Sequence, residues 1–304
     1  MSGKNLLSIA DLNAEDVGNL IRRAAELKRR DEETCLKGKV LALLFEKPSL
    51  RTRVSFEVAM LQMGGHAIYL SPNEVGLGKR EQIPDVARTL SRYVDIIASR
   101  TFSQQTLELM AHYAEVPVIN ALSDREHPCQ ALADLLTISE KKNRLKGLQL
   151  TYVGDGNNVA RSLVFAASLA GVNCAVASPT DYSLDDETLH QARGFALNNE
   201  AEIFITSNPQ EAVKNADIIY TDVWTSMGQE AEADARRNIF APYQVNSSLL
   251  SMAREDAIFM HPLPAHHGEE IADGLLEHPR SIVFDQAENR LHIQKAILAV
   301  ILGE

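Results

Sequence analysis

The sequence predicts an α/β protein made of two doubly wound domains, each built on a parallel sheet. Short apolar runs alternate with helical patterns along the chain, which is typical of a parallel sheet covered by helices on both faces. The alternation pauses at the polar segment 140–144 and then restarts. A length of 304 residues, 45% hydrophobic and 23% charged, suits two globular domains.

The first half of the alternation opens with an amphipathic helix at residues 14–30. Asn13 stands where it can cap that helix, and one face carries apolar side chains, namely Val17, Leu20, Ile21, Ala24 and Leu27. Strands are predicted at 40–45, 66–70, 94–98 and 116–119. Helices are predicted at 54–63, 82–92, 104–114 and about 128–141.

The second half repeats the pattern. Strands are predicted at 148–153, 172–177, 202–205, 217–221, 257–260 and 282–284. Helices are predicted at 158–170, 184–196, 209–215 and 287–302. Residues 225–250 show little apolar periodicity and are predicted to form a long mobile loop, of the kind that often acts as a lid.

We place the domain boundary at the polar segment. One predicted domain comprises residues 1–142 together with the returning C-terminal helix 287–304, and the other comprises residues 143–286. In doubly wound sheets ligands bind at the carboxyl ends of the strands, so we expect a ligand cleft there, between the two domains.

Charge and cysteine content narrow the class of protein. A net charge of −11 argues against a nucleic-acid binder, so any anion site must be a local basic pocket. Three cysteines, Cys35, Cys129 and Cys174, suit a reducing compartment without a disulfide framework. We see no signal-peptide pattern and no membrane-spanning apolar stretch, and we expect a cytoplasmic protein.

The segment Ser49-Leu50-Arg51-Thr52-Arg53 is the most informative motif. It follows a predicted strand and leads into a predicted helix, where backbone N–H groups and the helix dipole favour an anion. The two hydroxyl groups and two guanidinium groups of this segment could together form a phosphate-binding site. A capped helix start with two surface arginines would look the same, so this motif alone does not decide between them.

Further polar residues follow the predicted strands of the first domain. Arg100 stands just past the strand at 94–98, although a lone arginine there is more often a surface residue. In His127-Pro128-Cys129-Gln130, the proline suits a first helical turn and puts His127 and Gln130 on one face. An imidazole and a carboxamide can bind the carbonyl and the NH2 group of one small planar ligand, or they can be a cap and an exposed side chain.

In the second predicted domain, Gly154-Asp155-Gly156-Asn157-Asn158 superficially suggests a dinucleotide loop. Val159 occupies the third glycine position, and no acidic residue ends the strand near 177, so nicotinamide binding is disfavoured. A turn that presents Asn158 to an amino-acid ligand fits better.

Three other segments carry candidate groups. Asp222, at a strand end, can pair with an ammonium group, and Trp224 and Met227 offer apolar surface for an alkyl chain. The segment 261–269 holds three histidines and a glutamate and is followed by Glu270, but its two prolines and irregular register argue against a preformed metal site. Arg290 can be an anion contact or merely a helix-face charge.

Taken together, four motifs in register resemble those of the aspartate/ornithine carbamoyltransferase family. Residues 45–57 resemble its carbamoyl-phosphate signature and His127-Pro128-Cys129-Gln130 its second signature. Residues 222–228 resemble the ornithine-specific loop of that family, and residues 261–264 resemble its HxLP motif. The likeness spans the whole chain, and four motifs in the right order are far more specific than any one of them.

The resemblance implies a role for each of these residues. Carbamoyl phosphate would be bound by residues of both predicted domains, namely Ser49, Leu50, Arg51, Thr52, Arg53, Arg100, His127, Gln130, Pro262, Leu263 and Arg290. Among these, Thr52, Arg100 and His127 would be catalytic because they hold the developing oxyanion. Ornithine would be bound by Asn158, Asp222, Ser226 and Met227.

The same resemblance implies direct attack of the δ-amine of ornithine on carbamoyl phosphate, giving citrulline and phosphate. It implies no covalent intermediate, no metal, no organic cofactor and a homotrimer or a multiple of trimers. A catalytically silent homologue would be expected to lack Arg51, His127 or Gln130, and none of the three is missing. A dehydrogenase would need the absent glycine fingerprint.

Four positions depart from the usual ornithine pattern of the family: Leu50, Gly76, Pro262 and His267. Proline at 262 is typical of the aspartate branch, so this residue alone favours aspartate as the amine. Asp222 argues the other way, because its carboxylate would repel the side chain of aspartate. Putrescine enzymes share the Asp-Val-Trp start but diverge at residues 226–228, which favours ornithine.

Overall fold

The computed structural model describes residues 3–29, 34–78, 80–226 and 228–303. It confirms the α/β class, with parallel sheets flanked by helices. The chain forms two compact units. Unit 1 comprises Met1–Leu136 and Glu288–Glu304, and unit 2 comprises Thr137–Ala287.

The sheet of unit 1 has four parallel strands in the order β2-β1-β3-β4. These strands are β1 (Val40–Phe45), β2 (His66–Leu70), β3 (Ile96–Arg100) and β4 (Val118–Leu122). The chain moves to one side of β1 and then to the other, so the topological switch lies between β1 and β3. The carboxyl ends of these two strands lead to residues 46–49 and to Arg100, where ligands of doubly wound sheets bind.

The helices before the second sheet are α1 (Ala14–Arg29), α2 (Leu50–Gln62), α3 (Pro72–Val75), α4 (Ile83–Leu90), α5 (Gln104–Tyr113) and α6 (Pro128–Lys142). Asn13 caps α1, since its side-chain oxygen accepts the Asp16 N–H at 2.9 Å. All five predicted apolar side chains of α1 are buried. The core of this unit packs Ala42, Leu44 and Ile97 of the sheet against Leu107 and Met110 of α5.

Unit 2 has five parallel strands in the order β7-β6-β5-β8-β9. They are β5 (Gln149–Val153), β6 (Asn173–Ala177), β7 (Ile203–Thr206), β8 (Ile218–Tyr220) and β9 (Ile258–Met260). The switch lies between β5 and β8. The loops after these two strands carry Asn157 and Asp222, so the polar residues predicted at strand ends border the switch point.

The remaining helices are α7 (Asn158–Leu169), α8 (Asp186–Asn198), α9 (Pro209–Ala212), α10 (Ala233–Phe240), α11 (Ser247–Ser251) and α12 (Val283–Leu302). From Glu288 onward α12 belongs to unit 1, where the Ile301 carbonyl accepts the Gly3 N–H at 3.1 Å. The predicted return of the C-terminal helix is thus confirmed. Within the described ranges, no helix combines the length and apolar character needed to cross a bilayer.

The predicted long loop at 225–250 is wrong. The segment holds α10, α11 and two short 3-10 helices, Glu230–Glu232 and Ala241–Tyr243. The helical pattern escaped detection because α10 has only two buried positions, and one of them is a charged residue, Arg236.

Other boundaries also differ from prediction. The strand expected at 282–284 is absent, because only Ser281 pairs with Phe259 and α12 begins at Val283. Three apolar residues cannot distinguish a strand from a helix start. The strands β3 and β4 start two residues late, after Asp95 and Pro117, and α9 ends at Ala212, not 215.

The start of α2 is the correction that matters for function. The helix begins at Leu50, four residues before the predicted start, so the phosphate motif forms its first turn and not a loop before it. The short helix α3 was not predicted.

Candidate active site

The first turn of α2 is built as an anion site would be. Ser49 is the N-cap, and its Oγ accepts the Thr52 N–H at 3.4 Å. Leu50 is 75% exposed, so this departure from the family pattern leaves the helix start open to solvent. Free N–H groups and the helix dipole favour an anion at such a position.

The two arginines of this turn point to different surroundings. The Nε atom of Arg53 donates to Glu57 at 2.9 Å, and its guanidinium lies 3.9 Å above the ring of Tyr69. Arg51 acts instead on Arg100 and His127, whose pKa values its charge lowers. Arg51 is therefore the arginine of the motif that belongs to the cationic group described next.

Arg100 is the last residue of β3, buried at the switch point of the sheet. The register between β3 and β4 shifts between Ser99 and Arg100, which re-aims the side chain. Burial, and then the charges of Arg290 and Arg51, lower the pKa of Arg100 to about 10. Its Nε is buried and has no acceptor among the described residues. A bound anion would supply that acceptor and relieve the repulsion.

Arg290, on α12, donates hydrogen bonds to two other residues of this group. Its Nη2 donates to Thr52 Oγ1 at 2.7 Å and its Nη1 to Gln130 Oε1 at 2.9 Å. Arg290 is buried, as are Thr52 and Gln130. Residues distant in sequence, on α2, α6 and α12, thus meet within unit 1.

His127 completes the group and is uncharged. It immediately precedes α6, where its carbonyl accepts the N–H groups of Gln130 and Ala131 at 3.0 and 3.2 Å. Burial, and then the charges of Arg290, Arg100 and Arg51, hold the pKa of His127 well below 6.5. A neutral imidazole can donate one hydrogen bond to a carbonyl oxygen at neutral pH.

We expect His127 to contribute a loss of stability to the ligand-free protein as the pH falls below about 6.5. The unfolded chain binds a proton at His127 there while the folded chain does not, because the folded pKa is depressed. The contribution of His127 to stability therefore rises with pH up to that value and then levels off. His127→Gln should remove up to one proton, about 1.4 kcal/mol per pH unit, from this slope. Melting temperatures between pH 5 and 8 measure it, roughly spanning the histidine range. His112→Gln, at an exposed position on α5, is the control, and an unchanged slope in His127→Gln would refute the assignment.

In unit 2 the loops that follow the two switch strands meet through Asn157 and Asp222. The Asn157 Nδ2 donates to Asp222 Oδ2 at 2.8 Å, while its Oδ1 caps α7 by accepting the N–H groups of Val159 and Ala160. Burial raises the pKa of Asp222, and the hydrogen bond from Asn157 opposes that rise. A buried carboxylate at the carboxyl end of a sheet suits an ammonium group.

A buried ion pair, which was not predicted from the sequence, contacts the segment that resembles the ornithine-specific loop of the family. Nη1 of Arg236 donates to Asp155 Oδ2 at 3.0 Å and to the Trp224 carbonyl at 2.9 Å. The indole of Trp224 stacks on Phe240, with centroids 5.9 Å apart. Burial, opposed by Arg236, raises the pKa of Asp155 to about 6.

Within this loop, Ser226 is half-buried, and its N–H donates to Gln229 Oε1 at 3.1 Å. Met227, also predicted to contact ornithine, lies outside the described residues. Asn158 is the first residue of α7, so the predicted contact residue sits next to the asparagine that binds Asp222.

The segment after β9 is fixed by His261. Its Nδ1 accepts the Leu263 N–H at 2.9 Å, so Nε2 is the nitrogen that donates to Glu270 Oε1 at 3.2 Å. Leu263 has a φ of 58°, a left-handed conformation that a branched side chain adopts only when its surroundings impose it. Pro262 is buried and Leu263 half-buried. Strained backbone of this kind is common where carbonyls are aimed at a ligand.

Three polar side chains that follow the prolines lie close together, in the segment where no preformed metal site was expected. One nitrogen or oxygen atom that could bind a metal ion from each of His266, Glu269 and Glu270 lies within 4.8 Å of the other two. Glu269 accepts from Arg237 at 2.9 Å, and Glu270 Oε1 accepts from His261 and from the His266 N–H. Each carboxylate is therefore already bound to donors of the chain.

Seven of the fifteen predicted site residues fall into two groups, one in each unit. In unit 1 the structure brings together Arg51, Thr52, Arg100, His127, Gln130 and Arg290. In unit 2 Asp222 meets Asn157 and lies near His261. Leu50 and Arg53 stand apart, one exposed and the other paired with Glu57.

Comparison with known proteins identifies the family of the chain. Residues 4–140 match the carbamoyl-P binding domain of aspartate/ornithine carbamoyltransferases, and residues 146–301 match the Asp/Orn binding domain. Ornithine carbamoyltransferase of Anoxybacillus flavithermus is 51% identical over 306 residues, covering 99% of this chain and 98% of the relative. That of Nostoc punctiforme is 54% identical over 301 residues, with the same coverage.

A solved structure agrees. Ornithine carbamoyltransferase from Pyrococcus furiosus is 50% identical and superposes with a TM-score of 0.97, covering 99% of this chain and 98% of that one. The family inferred from the four motifs is confirmed: the chain belongs to the aspartate/ornithine carbamoyltransferase family.

Proposed function

We propose that the protein is an enzyme that transfers the carbamoyl group of carbamoyl phosphate to the δ-amine of L-ornithine, giving L-citrulline and phosphate. The observation that carries the proposal is the group of Arg51, Arg100 and Arg290 around an uncharged His127. Arg100 and Arg290 are buried and Arg51 is half-buried, and cations that repel one another in such a place are suited to a multiply charged anion. The names of the relatives support ornithine as the second substrate.

Carbamoyl phosphate binds chiefly in the first predicted domain, residues 1–142 with the returning helix. The phosphate contacts Ser49, the Leu50 N–H, Arg51, Thr52 and Arg53. Arg100 bridges the phosphate and the carbonyl group. Arg290 and Gln130 lie at the carbamoyl end, where Gln130 and the Pro262 and Leu263 carbonyls accept from the NH2 group.

The reaction is a direct acyl transfer without a metal or organic cofactor. The uncharged δ-amine attacks the carbonyl carbon to form a tetrahedral intermediate. The bond between this carbon and the bridging oxygen then breaks, phosphate leaves with that oxygen and the electron pair, and the nitrogen releases one proton. Thr52, Arg100 and His127 stabilise the oxyanion of the tetrahedral intermediate. The depressed pKa of His127 suits this role, because the imidazole is already neutral and acts as a hydrogen-bond donor.

Ornithine binds in the second predicted domain, residues 143–286. Asp222 accepts from the α-ammonium group, and Asn158 and Ser226 bind the α-carboxylate. Met227 covers the alkyl chain.

We further propose a cytoplasmic homotrimer, or a multiple of trimers, without nucleic-acid or membrane partners. The direction of the reaction is biosynthetic, as the names of the relatives from Pyrococcus furiosus and Campylobacter jejuni, both called anabolic, suggest.

Aspartate is the second candidate amine because position 262 is proline. We expect ornithine to be carbamoylated well and aspartate to be almost inert, since its second carboxylate would be buried facing Asp222. Putrescine should be poor, because it leaves the α-carboxylate contacts unpaired. The test compares kcat/KM for the three amines by formation of the carbamoylated product.

Pro262→Cys is the matched variant for this test. It should change the rate with ornithine modestly and leave the order of the three amines unchanged. A native preference for aspartate, or a reversal of that order in the variant, would mean that residue 262 selects the amine.

A further inference from the structure

A buried carboxylate, that of Asp134, contacts Gln130, one of the residues predicted to bind the carbamoyl group. Asp134 lies on α6, four residues after Gln130 and thus on the same face of the helix. Its side chain is fully buried, and its Oδ1 accepts the Gln130 Nε2–H at 2.9 Å. None of the four family motifs includes this residue.

The two neighbours of Gln130 determine which way its amide points. A carboxylate only accepts hydrogen bonds and a guanidinium only donates them. Nε2 must therefore face Asp134 and Oε1 must face Arg290, as observed. A flipped amide would set NH2 against the guanidinium and oxygen against the carboxylate, losing both hydrogen bonds.

The orientation has a chemical consequence at the ligand. A carboxamide oxygen has two acceptor positions, and Arg290 Nη1 uses one of them. The other can accept an N–H of the carbamoyl NH2 group. With the amide flipped, Gln130 would present a donor to a donor.

We propose that Asp134 is a positioning residue that makes the site selective for a carbamoyl group over an acyl group of the same shape. The inference rests on the proposed function, since it takes carbamoyl phosphate as the ligand. Asp134 acts through Gln130 and touches no substrate atom.

Acetyl phosphate tests the proposal because a methyl group replaces the NH2 group while the rest of the ligand is kept. Dissociation constants for both ligands are measured by calorimetry on the native protein, Asp134→Ala and Asp134→Asn. In Asp134→Ala we expect carbamoyl phosphate to bind about tenfold more weakly, the loss of one hydrogen bond. Acetyl phosphate should change by less than about twofold, since it makes no such bond. Asp134→Asn, which can still accept from Gln130, should lie between.

Leu132→Ala, at a buried apolar position of the same helix, is the control for lost stability. It should lower the melting temperature without changing the ratio of the two dissociation constants. Equal weakening of both ligands in Asp134→Ala, or no change in either, would overturn the proposal. A separate citrulline assay tests the proposed function, which fails if the native protein binds carbamoyl phosphate but forms no citrulline.

Discussion

Replacing Arg51 with lysine is expected to lower kcat/KM for carbamoyl phosphate by about two orders of magnitude or more. Arg51 belongs to the first turn of α2, and its charge acts on Arg100 and His127. Lysine keeps the charge but loses the planar fork that binds two phosphate oxygens at once. The loss should appear with ornithine saturating, in assays of citrulline formation against carbamoyl phosphate concentration.

The same substitution at two other arginines provides the controls for this prediction. Arg53→Lys should cost less, because the guanidinium of Arg53 is held by Glu57 and Tyr69. Arg88→Lys, on α4 and exposed, should leave the kinetics unchanged. Near-normal turnover in Arg51→Lys would remove the first turn of α2 from the site.

Asp222→Asn should lower kcat/KM for ornithine by about two orders of magnitude while the KM for carbamoyl phosphate changes little. Asn has the same shape, so the change removes the negative charge from a buried position beside Asn157. The ammonium group of ornithine would then be desolvated without a counter-charge. The measurement is a pair of saturation curves, one for each substrate.

Asp217→Asn is the matched control, because Asp217 is also buried in unit 2 but accepts from the Gln149 N–H within the fold. It should lower the melting temperature and leave the ratio of the two substrate constants unchanged. If Asp222→Asn leaves kcat/KM for ornithine intact, another group binds the ammonium.

The sequence was informative wherever one residue type had one plausible use. Continuous apolar runs located β1 and β2 to the residue. β1 is buried on both faces, as such a run predicts, whereas β2 is an edge strand with half-buried and exposed residues. The motif at Ser49 indicated an anion site only together with the other family motifs, because a capped helix start with surface arginines would look the same. The strands predicted to start at Val94 and Val116 begin two residues later, at Ile96 and Val118, because these apolar neighbours extended the pattern beyond the hydrogen-bonded ladder.

What the sequence could not supply was the pairing of distant residues. Arg236 belongs to none of the sequence motifs, yet it is buried against Asp155 and the Trp224 carbonyl. Asn158 was predicted to contact an amino-acid ligand, but the hydrogen bond from its neighbour Asn157 to Asp222 was not predicted. The sequence shows that Gln130 and Asp134 are four residues apart and so lie on one face of a helix. Only the structure shows that Arg290 contacts the other end of the Gln130 amide, which fixes its orientation.

The construction of unit 1 from two separated segments affects its synthesis. Residues 1–136 leave the ribosome well before residues 288–304, with the whole of unit 2 between them. At roughly 5–20 residues per second, Arg290 is added about 8–30 s after Leu136. Unit 2, by contrast, is contiguous in the nascent chain. Until Arg290 arrives, Thr52 and Gln130 lack their shared donor, so this group of side chains is completed only after unit 2 has been synthesised.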